Sequence, residues 1–309
     1  MRFIVTGGAG FIGSHLVEAL VAAGHAVTVI DDLSTGRAEN VAPGARLLRG
    51  SIGDAMLLAR EAAGADGIFH LAARVSVQDC IDNWLPGHRD NLIGTIHVLQ
   101  AAAGAGCPVV YASSAAVYGD RSGQLCSEEV REVPISPYGA DKLACEHQAR
   151  AFAVVRGVPS VGLRFFNVYG PRQDPASPYA GVISKFIANA QAGLAHTVFG
   201  DGGQSRDFIE VSDVVAGLLA AMDHAGKEPG AEVVNICTGR ETTLLDLIAT
   251  IARVRGDTAA PRVTHAPARA GDIRHSLGCT RLMQARLGLR AQVPLDRGLT
   301  RLLAHEAAA

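Results

Sequence analysis

A chain of 309 residues is long for one compact core and suits two lobes that share a cleft. Hydrophobic residues make up 48% and charged residues 19%, which excludes general disorder. A formal net charge of -2 argues against the basic footprint that a nucleic-acid or acidic membrane partner would require.

No apolar run approaches the ~18 residues of a membrane span. Glycines, His15 and Glu18 interrupt the first thirty residues too often for a signal peptide. Six scattered cysteines without a Cys-x-x-Cys pair predict reduced thiols, with no zinc site or disulfide framework and no metal. The expectation is a soluble cytoplasmic protein.

In chain order, residues 3–5 read as a buried strand, 15–23 as a helix, 26–30 as a second strand and 47–48 as a weak third. Strands over 67–71, 109–112 and 160–164 continue the series, with helices between them over 54–63, 88–105 and 138–156. This alternation predicts an α/β fold: a Rossmann-type doubly wound parallel sheet with ligands at the carboxyl ends of its strands. After about residue 166, Pro171, Pro175 and Pro178 loosen the pattern. Helices recur over 180–193, 212–224 and 243–255, with short strands such as 233–237. The division expected is a dinucleotide-binding domain over 1–166 and a smaller mixed α/β substrate lobe over 167–309, parts of which pack back on the first.

The string Thr6-Gly7-Gly8-Ala9-Gly10-Phe11-Ile12-Gly13 falls between the first strand and first helix. Gly7, Gly10 and Gly13 permit a tight turn, close approach to a pyrophosphate and close helix packing, while the helix N-terminus offers N–H groups to phosphate. A glycine turn without phosphate is the plain alternative. The context opposes it, because Asp31 stands 18 residues beyond Gly13 at the end of the second strand. A carboxylate there accepts ribose hydroxyls and repels a 2′-phosphate, so NAD is favoured over NADP, although Arg37 is near enough in sequence to attract such a phosphate.

Tyr138-Gly139-Ala140-Asp141-Lys142 puts a phenol and an ammonium one helical turn apart on one face. A cation so placed favours phenolate and makes a usable general base. Such a pair also arises by chance on surfaces. Here Lys142 is one of only three lysines, the others being Lys185 and Lys227, in a chain that otherwise uses arginine. Ser114, where the strand over 109–112 runs out, can hydrogen-bond a reacting hydroxyl; alone it would read as a turn serine.

These residues resemble the extended short-chain dehydrogenase/reductase family and, within it, the NAD-dependent sugar-nucleotide epimerases. The likeness runs through TGGAGFIGS, VIDDLSTG, HLAA, SSAAVYG, SPYGADK, RFFNVYGPR, RDFIEVSDV and RAGDIRHS, in family order. The resemblance implies that Phe11 and Ile12 approach the pyrophosphate, and that Asp31, Asp32, Ser34, Thr35 and Gly36 surround the adenosine ribose. It places Ser51 and Ile52 at the adenine, Leu71, Ala72 and Ala73 along the nicotinamide with Asn91 nearby, and Ser114, Tyr138 and Lys142 as the catalytic set. The family often has Asp where Ser51 stands. On the substrate side it implies Asn167, Arg206 and Arg269 at the diphosphate of a UDP-sugar, Phe199 at the uracil, and Asp272 and Ser276 toward the sugar. Family habit adds a homodimer through the helices over 88–105 and 138–156.

Related 4,6-dehydratases carry an Asp-Glu pair, and related decarboxylases a Glu, just before the Val-Tyr-Gly of this loop. Ala115 and Ala116 stand there in this chain and transfer no protons. Elimination is thereby disfavoured and 4-epimerisation of a UDP-hexose is expected. A net dehydrogenase, a UDP-glucuronate 4-epimerase and a non-catalytic NAD(H)-binding regulator are the other readings. Stoichiometric NADH release would mark the dehydrogenase, and loss of Tyr138 or Lys142 would have marked the regulator.

Overall fold

The computed structural model describes residues 1–121, 123–173, 181–267 and 273–308. Its first half runs β1 (Arg2–Thr6), α1 (Phe11–Ala22), β2 (Ala26–Asp31), β3 (Arg46–Arg49), α2 (Ala55–Ala62), β4 (Gly67–His70), α3 (Val77–Asp82), α4 (Trp84–His88), α5 (Gly94–Ala105), β5 (Val109–Ser114), α6 (Pro137–Arg156) and β6 (Ser160–Phe165). The second half adds β7 (Asn167–Tyr169), α7 (Val182–Gln191), β8 (His196–Phe199), β9 (Ser205–Arg206), β10 (Phe208–Glu210), α8 (Val211–Ala225) and β11 (Ala231–Ile236). It ends with β12 (Thr242–Thr243), α9 (Leu244–Arg255), β13 (Val263–Ala266), β14 (His275–Ser276), α10 (Arg281–Leu287) and α11 (Leu295–Ala308).

Seven strands form one sheet in the order β11-β6-β5-β4-β1-β2-β3, and every neighbouring pair is parallel. The fold is therefore of the Rossmann type. The direction in which strands are added reverses between β1 and β4, and the carboxyl ends there open the crevice that doubly wound sheets use for ligands. Because both faces are covered, the strands are apolar on both sides. On one face Leu16, Val17 and Leu20 of α1 meet Val214, Leu218 and Met222 of α8. On the other lie Leu58, Val98, Leu99, Cys145 and Ala149 from α2, α5 and α6. A third core, built from α7, α9 and α11, belongs to the second half.

One edge strand of the sheet, β11, and the helix before it, α8, come from beyond residue 166 and are built into the sheet and its first core. The first helix begins at Phe11, four residues ahead of the apolar pattern, because the glycine turn closes at Gly10 and Gly13 is already helical. Residues 88–105 are likewise not one regular helix: a π-helical turn over Arg89–Ile93 joins α4 to α5. Among the described residues, no helix is long and apolar enough to cross a membrane.

Candidate active site

The phosphate turn is closed by its own backbone. Gly7 N–H donates to the Ile30 carbonyl at 2.9 Å and Gly10 N–H to the Gly7 carbonyl at 3.2 Å. Gly7 has φ +72°, and a Cβ there would lie 2.5 Å from the Ala72 nitrogen; a Cβ on Gly13 would overlap the Gly7 carbonyl oxygen. No side chain caps α1 at Gly10, so the first-turn N–H groups face the crevice at the β1 end without a protein acceptor from the cap. Asp31 is buried at the neighbouring strand end, where its carboxylate accepts the Ala9 N–H at 3.0 Å and the Leu33 N–H at 2.9 Å. Two N–H bonds leave acceptor capacity on its oxygens for ribose hydroxyls. Gly36 stands against it, since a Cβ at 36 would be 2.9 Å from Asp31 Oδ1.

Other expected cofactor residues are placed with structural duties as well. Asp32 accepts the Ser34 N–H and Ser51 the Gly53 N–H, each closing a short turn. Ile52 is buried in the core, its carbonyl bonded by His97. Leu71 to Ala73 follow β4 directly, and Leu71 N–H reaches back to the Thr6 carbonyl at 3.0 Å. Asn91 is buried with its amide spent on Arg74: Oδ1 accepts the Arg74 N–H at 2.9 Å and Nδ2 donates to the Arg74 carbonyl at 3.1 Å. Its part is to hold the loop after Ala73.

The chemistry end is built where β5 meets the start of α6. Ser114 leaves β5 and caps a 3-10 turn over Ala115–Tyr118 by accepting the Ala116 N–H at 3.1 Å, which leaves its hydroxyl proton to donate elsewhere. Helix α6 starts at Pro137 because Ser136 accepts the Gly139 N–H at 3.1 Å and proline suits the first helical position. Gly139 packs on the Ala116 carbonyl oxygen, 2.6 Å from where a Cβ would sit, so the helix start and the serine turn are in contact. Tyr138 is half-buried on this turn. Lys142 is buried, donates from Nζ to the Ala112 carbonyl at 2.9 Å, and lies 5.8 Å from the centroid of the Tyr138 ring. Ser114, Tyr138 and Lys142 are thus brought to one place.

Below them is a group the motif reading missed. Glu146, one further turn along the face that carries Tyr138 and Lys142, accepts the Ser113 hydroxyl at 2.5 Å and the Arg164 guanidinium at 2.9 and 2.7 Å. Arg164 is fully buried, also reaches Glu132 at 2.5 Å, and stacks 4.8 Å from the centre of the Tyr118 ring. The i, i+4, i+8 spacing of 138, 142 and 146 was the signal in the sequence.

On the substrate side, β9 lies between β12 and β14, with Ser276 in register beside Arg206 and His275 beside Ser205. Arg206 is half-buried and donates to the Ser205 carbonyl at 2.8 Å, and Ser276 is 9% exposed. The neighbouring Asp207, also missed, is buried and gathers the Thr238 hydroxyl and the N–H groups of Thr238, Gly239 and Gly278; burial pushes its carboxyl up. Asn167 is exposed at the start of β7, and the Phe199 carbonyl accepts from Gln204 at 2.7 Å. Arg269 and Asp272 lie outside the described residues.

A parallel sheet with a glycine turn at its switch point, an acidic residue one strand over and a Tyr-x-x-x-Lys helix opposite defines a dinucleotide-dependent enzyme of alcohol–carbonyl chemistry. Comparison with known proteins makes this specific. Residues 3–237 match the NAD dependent epimerase/dehydratase family, so the chain belongs to that family, among its extended short-chain members that act as sugar-nucleotide epimerases, and NAD is its cofactor. A UDP-glucose 4-epimerase of Mycolicibacterium smegmatis is 38% identical over 310 residues, covering 97% of each chain. The solved UDP-N-acetylglucosamine 4-epimerase of Methanobrevibacter ruminantium, in complex with UDP-N-acetylmuramic acid, superposes with a TM-score of 0.93 at 33% identity, covering 99% of this chain and 98% of that one. The Thermus thermophilus UDP-glucose 4-epimerase, solved with NAD, gives a TM-score of 0.90 at 34% identity and covers 100% of both chains.

Proposed function

We propose that the chain catalyses the NAD-dependent 4-epimerisation of UDP-hexoses, both UDP-glucose/UDP-galactose and UDP-N-acetylhexosamines, by transient oxidation to a 4-keto sugar. The observation that carries this reading is the Tyr138–Lys142 turn locked onto β5 through the Ala112 carbonyl, beside Ser114, with the proton-inert Ala115 and Ala116 next in line. The glycine turn, the uncapped α1 N-terminus and Asp31 fit the pyrophosphate and ribose of NAD, which when bound supplies a reversible two-electron acceptor. Tyr138 takes the proton of the 4-hydroxyl, Ser114 bridges phenol and hydroxyl, and Lys142 holds positive charge beside the phenol. The oxidised sugar turns about its diphosphate link, and Tyr138 returns the proton on the other face. Arg206 and Asn167 hold the diphosphate meanwhile. No acid stands at 115 or 116 to expel water or carbon dioxide.

Tolerance of a 2-acetamido group rests on Ser276, which shares a strand face with Arg206 because directly paired residues of parallel strands point the same way. His275, the other side chain able to narrow a sugar pocket, points to the opposite face, where it bonds Ser205 at 2.9 Å and Glu241 at 3.1 Å. A homodimer through the segments over 88–105 and 138–156 is part of the proposal: Ile93 in the first and Val154 and Val155 in the second are exposed apolar groups.

The test is incubation of the purified protein with a panel of UDP-sugars, resolving 4-epimers by NMR and following absorbance at the NADH band. Conversion between 4-epimers with retained NAD and no net NADH is expected. Stoichiometric NADH, or loss of carbon dioxide, would overturn the assignment.

A further inference from the structure

At the carboxyl ends of β1 and β4, the two strands that flank the switch point, runs a line of buried polar groups with no part in the proton transfer above. Thr6 Oγ1 and His70 Nδ1 are 2.7 Å apart, and His70 Nε2 and Thr95 Oγ1 are 3.0 Å apart. Thr95 donates its hydroxyl proton to the Asn91 carbonyl at 2.6 Å. All three side chains are at most 3% exposed.

Counting protons gives the line a direction. Thr95 has one proton and spends it on Asn91, so its oxygen accepts from His70, and Nε2 must carry hydrogen. Cys145 adds its thiol to the same oxygen at 3.3 Å. In a neutral ring Nδ1 is then bare and takes the Thr6 hydroxyl proton. That leaves a lone pair on Thr6 facing the Ala72 N–H, 3.4 Å away. A second ring proton would occupy Nδ1 and take from the Thr6 hydroxyl the acceptor that it now uses. Complete burial, with the Lys142 ammonium adding to it, opposes that proton and pushes the His70 pKa down to about 3.

We propose that His70, fixed by Thr6 and Thr95 as the neutral Nε2–H tautomer, is a positioning residue that sets the Leu71–Ala73 turn against the phosphate turn, and so shapes the wall on which the nicotinamide end of NAD rests. The two turns share that wall, since the Ala72 nitrogen stands where a side chain on Gly7 would be. The inference rests on the cofactor half of the proposed reading and not on the sugar half.

Two measurements on the NAD-loaded protein test it. Nitrogen-15 spectra of histidine-labelled protein, with His70 assigned by its loss in His70→Gln, should show the neutral Nε2–H tautomer unchanged from pH 5 to 8. A titrating ring, or the Nδ1–H tautomer, overturns the proposal. Thr6→Ser and Thr6→Ala differ by one oxygen. Serine should keep wild-type NAD affinity and alanine should weaken it ~5- to 10-fold, the size of one lost buried hydrogen bond, with UDP affinity unchanged. Equal NAD affinity in the two variants refutes the positioning role, and a purely structural hydroxyl would lower only the melting temperature. Should Thr6→Ala fail to fold, the spectra of the wild-type protein still decide. Failure to epimerise any UDP-sugar would refute the substrate reading and leave both readouts intact.

Discussion

In the proposed mechanism Tyr138 is the group that moves the proton, with Ser114 and Lys142 assisting it. Tyr138→Phe is therefore expected to lower kcat at least ~10²-fold. NAD content after gel filtration should stay at the wild-type level, because the glycine turn and Asp31 are untouched. Asp31 sets the second expectation. Its carboxylate is held by two backbone N–H groups, so it cannot swing away from a 2′-phosphate, and apo-protein titrated with both dinucleotides should bind NAD well ahead of NADP. Equal binding would assign the site differently. Ser276 is a matter of volume: a tyrosine there would fill the space beside Arg206. Ser276→Tyr should cut kcat/KM for UDP-N-acetylglucosamine far more than for UDP-glucose, and unchanged turnover of the acetamido sugar would show that Ser276 is not what admits the acetamido group.

Among elements, α6 does the most, for it presents Tyr138 and Lys142 and is bolted to β5 and β6 by Glu146. Removing one partner of a buried ion pair strands the other charge, which costs about 3–5 kcal/mol. Glu146→Ala should show that loss in chemical denaturation, whereas a midpoint near wild type would mean that Arg164 finds Glu132 sufficient. The sequence revealed the long parallel strands and their helices because each is a continuous apolar or amphipathic run. It revealed the glycine turn, Asp31 and Tyr-x-x-x-Lys because those spacings have a mechanism. Two-residue strands such as β9 and β14 have no period to read. Arg164 lies 18 residues from Glu146, so the partner that neutralises it appears only in space. The regular helix expected over 88–105 contains a π turn, whose extra residue leaves hydrophobic periodicity on either side nearly intact.

For the molecule as a whole, acid is the weak direction. Burial holds His70 near 3 and lowers His15 and His196 from their ordinary 6.5. A histidine with a lowered folded-state pKa stays neutral in the fold while the unfolded chain takes up a proton. Stability is thus full above the unfolded value and falls as pH drops from about 6.5 toward 3, by up to ~1.4 kcal/mol per pH unit for a fully buried ring. Urea midpoints should decline from pH 7 to pH 5, and less steeply in His70→Gln; a flat profile would contradict the burial. The strand order has a consequence of another kind. Because β11 borders β6, the ribosome must deliver roughly 70 residues after β6 before that strand has a neighbour on its outer side. At about 5–20 residues per second, the nascent chain presents a bare, apolar edge for on the order of 4–14 s. Translation speed through the second half, and the chaperones waiting at the exit tunnel, therefore bear on how much of this protein reaches its sheet intact.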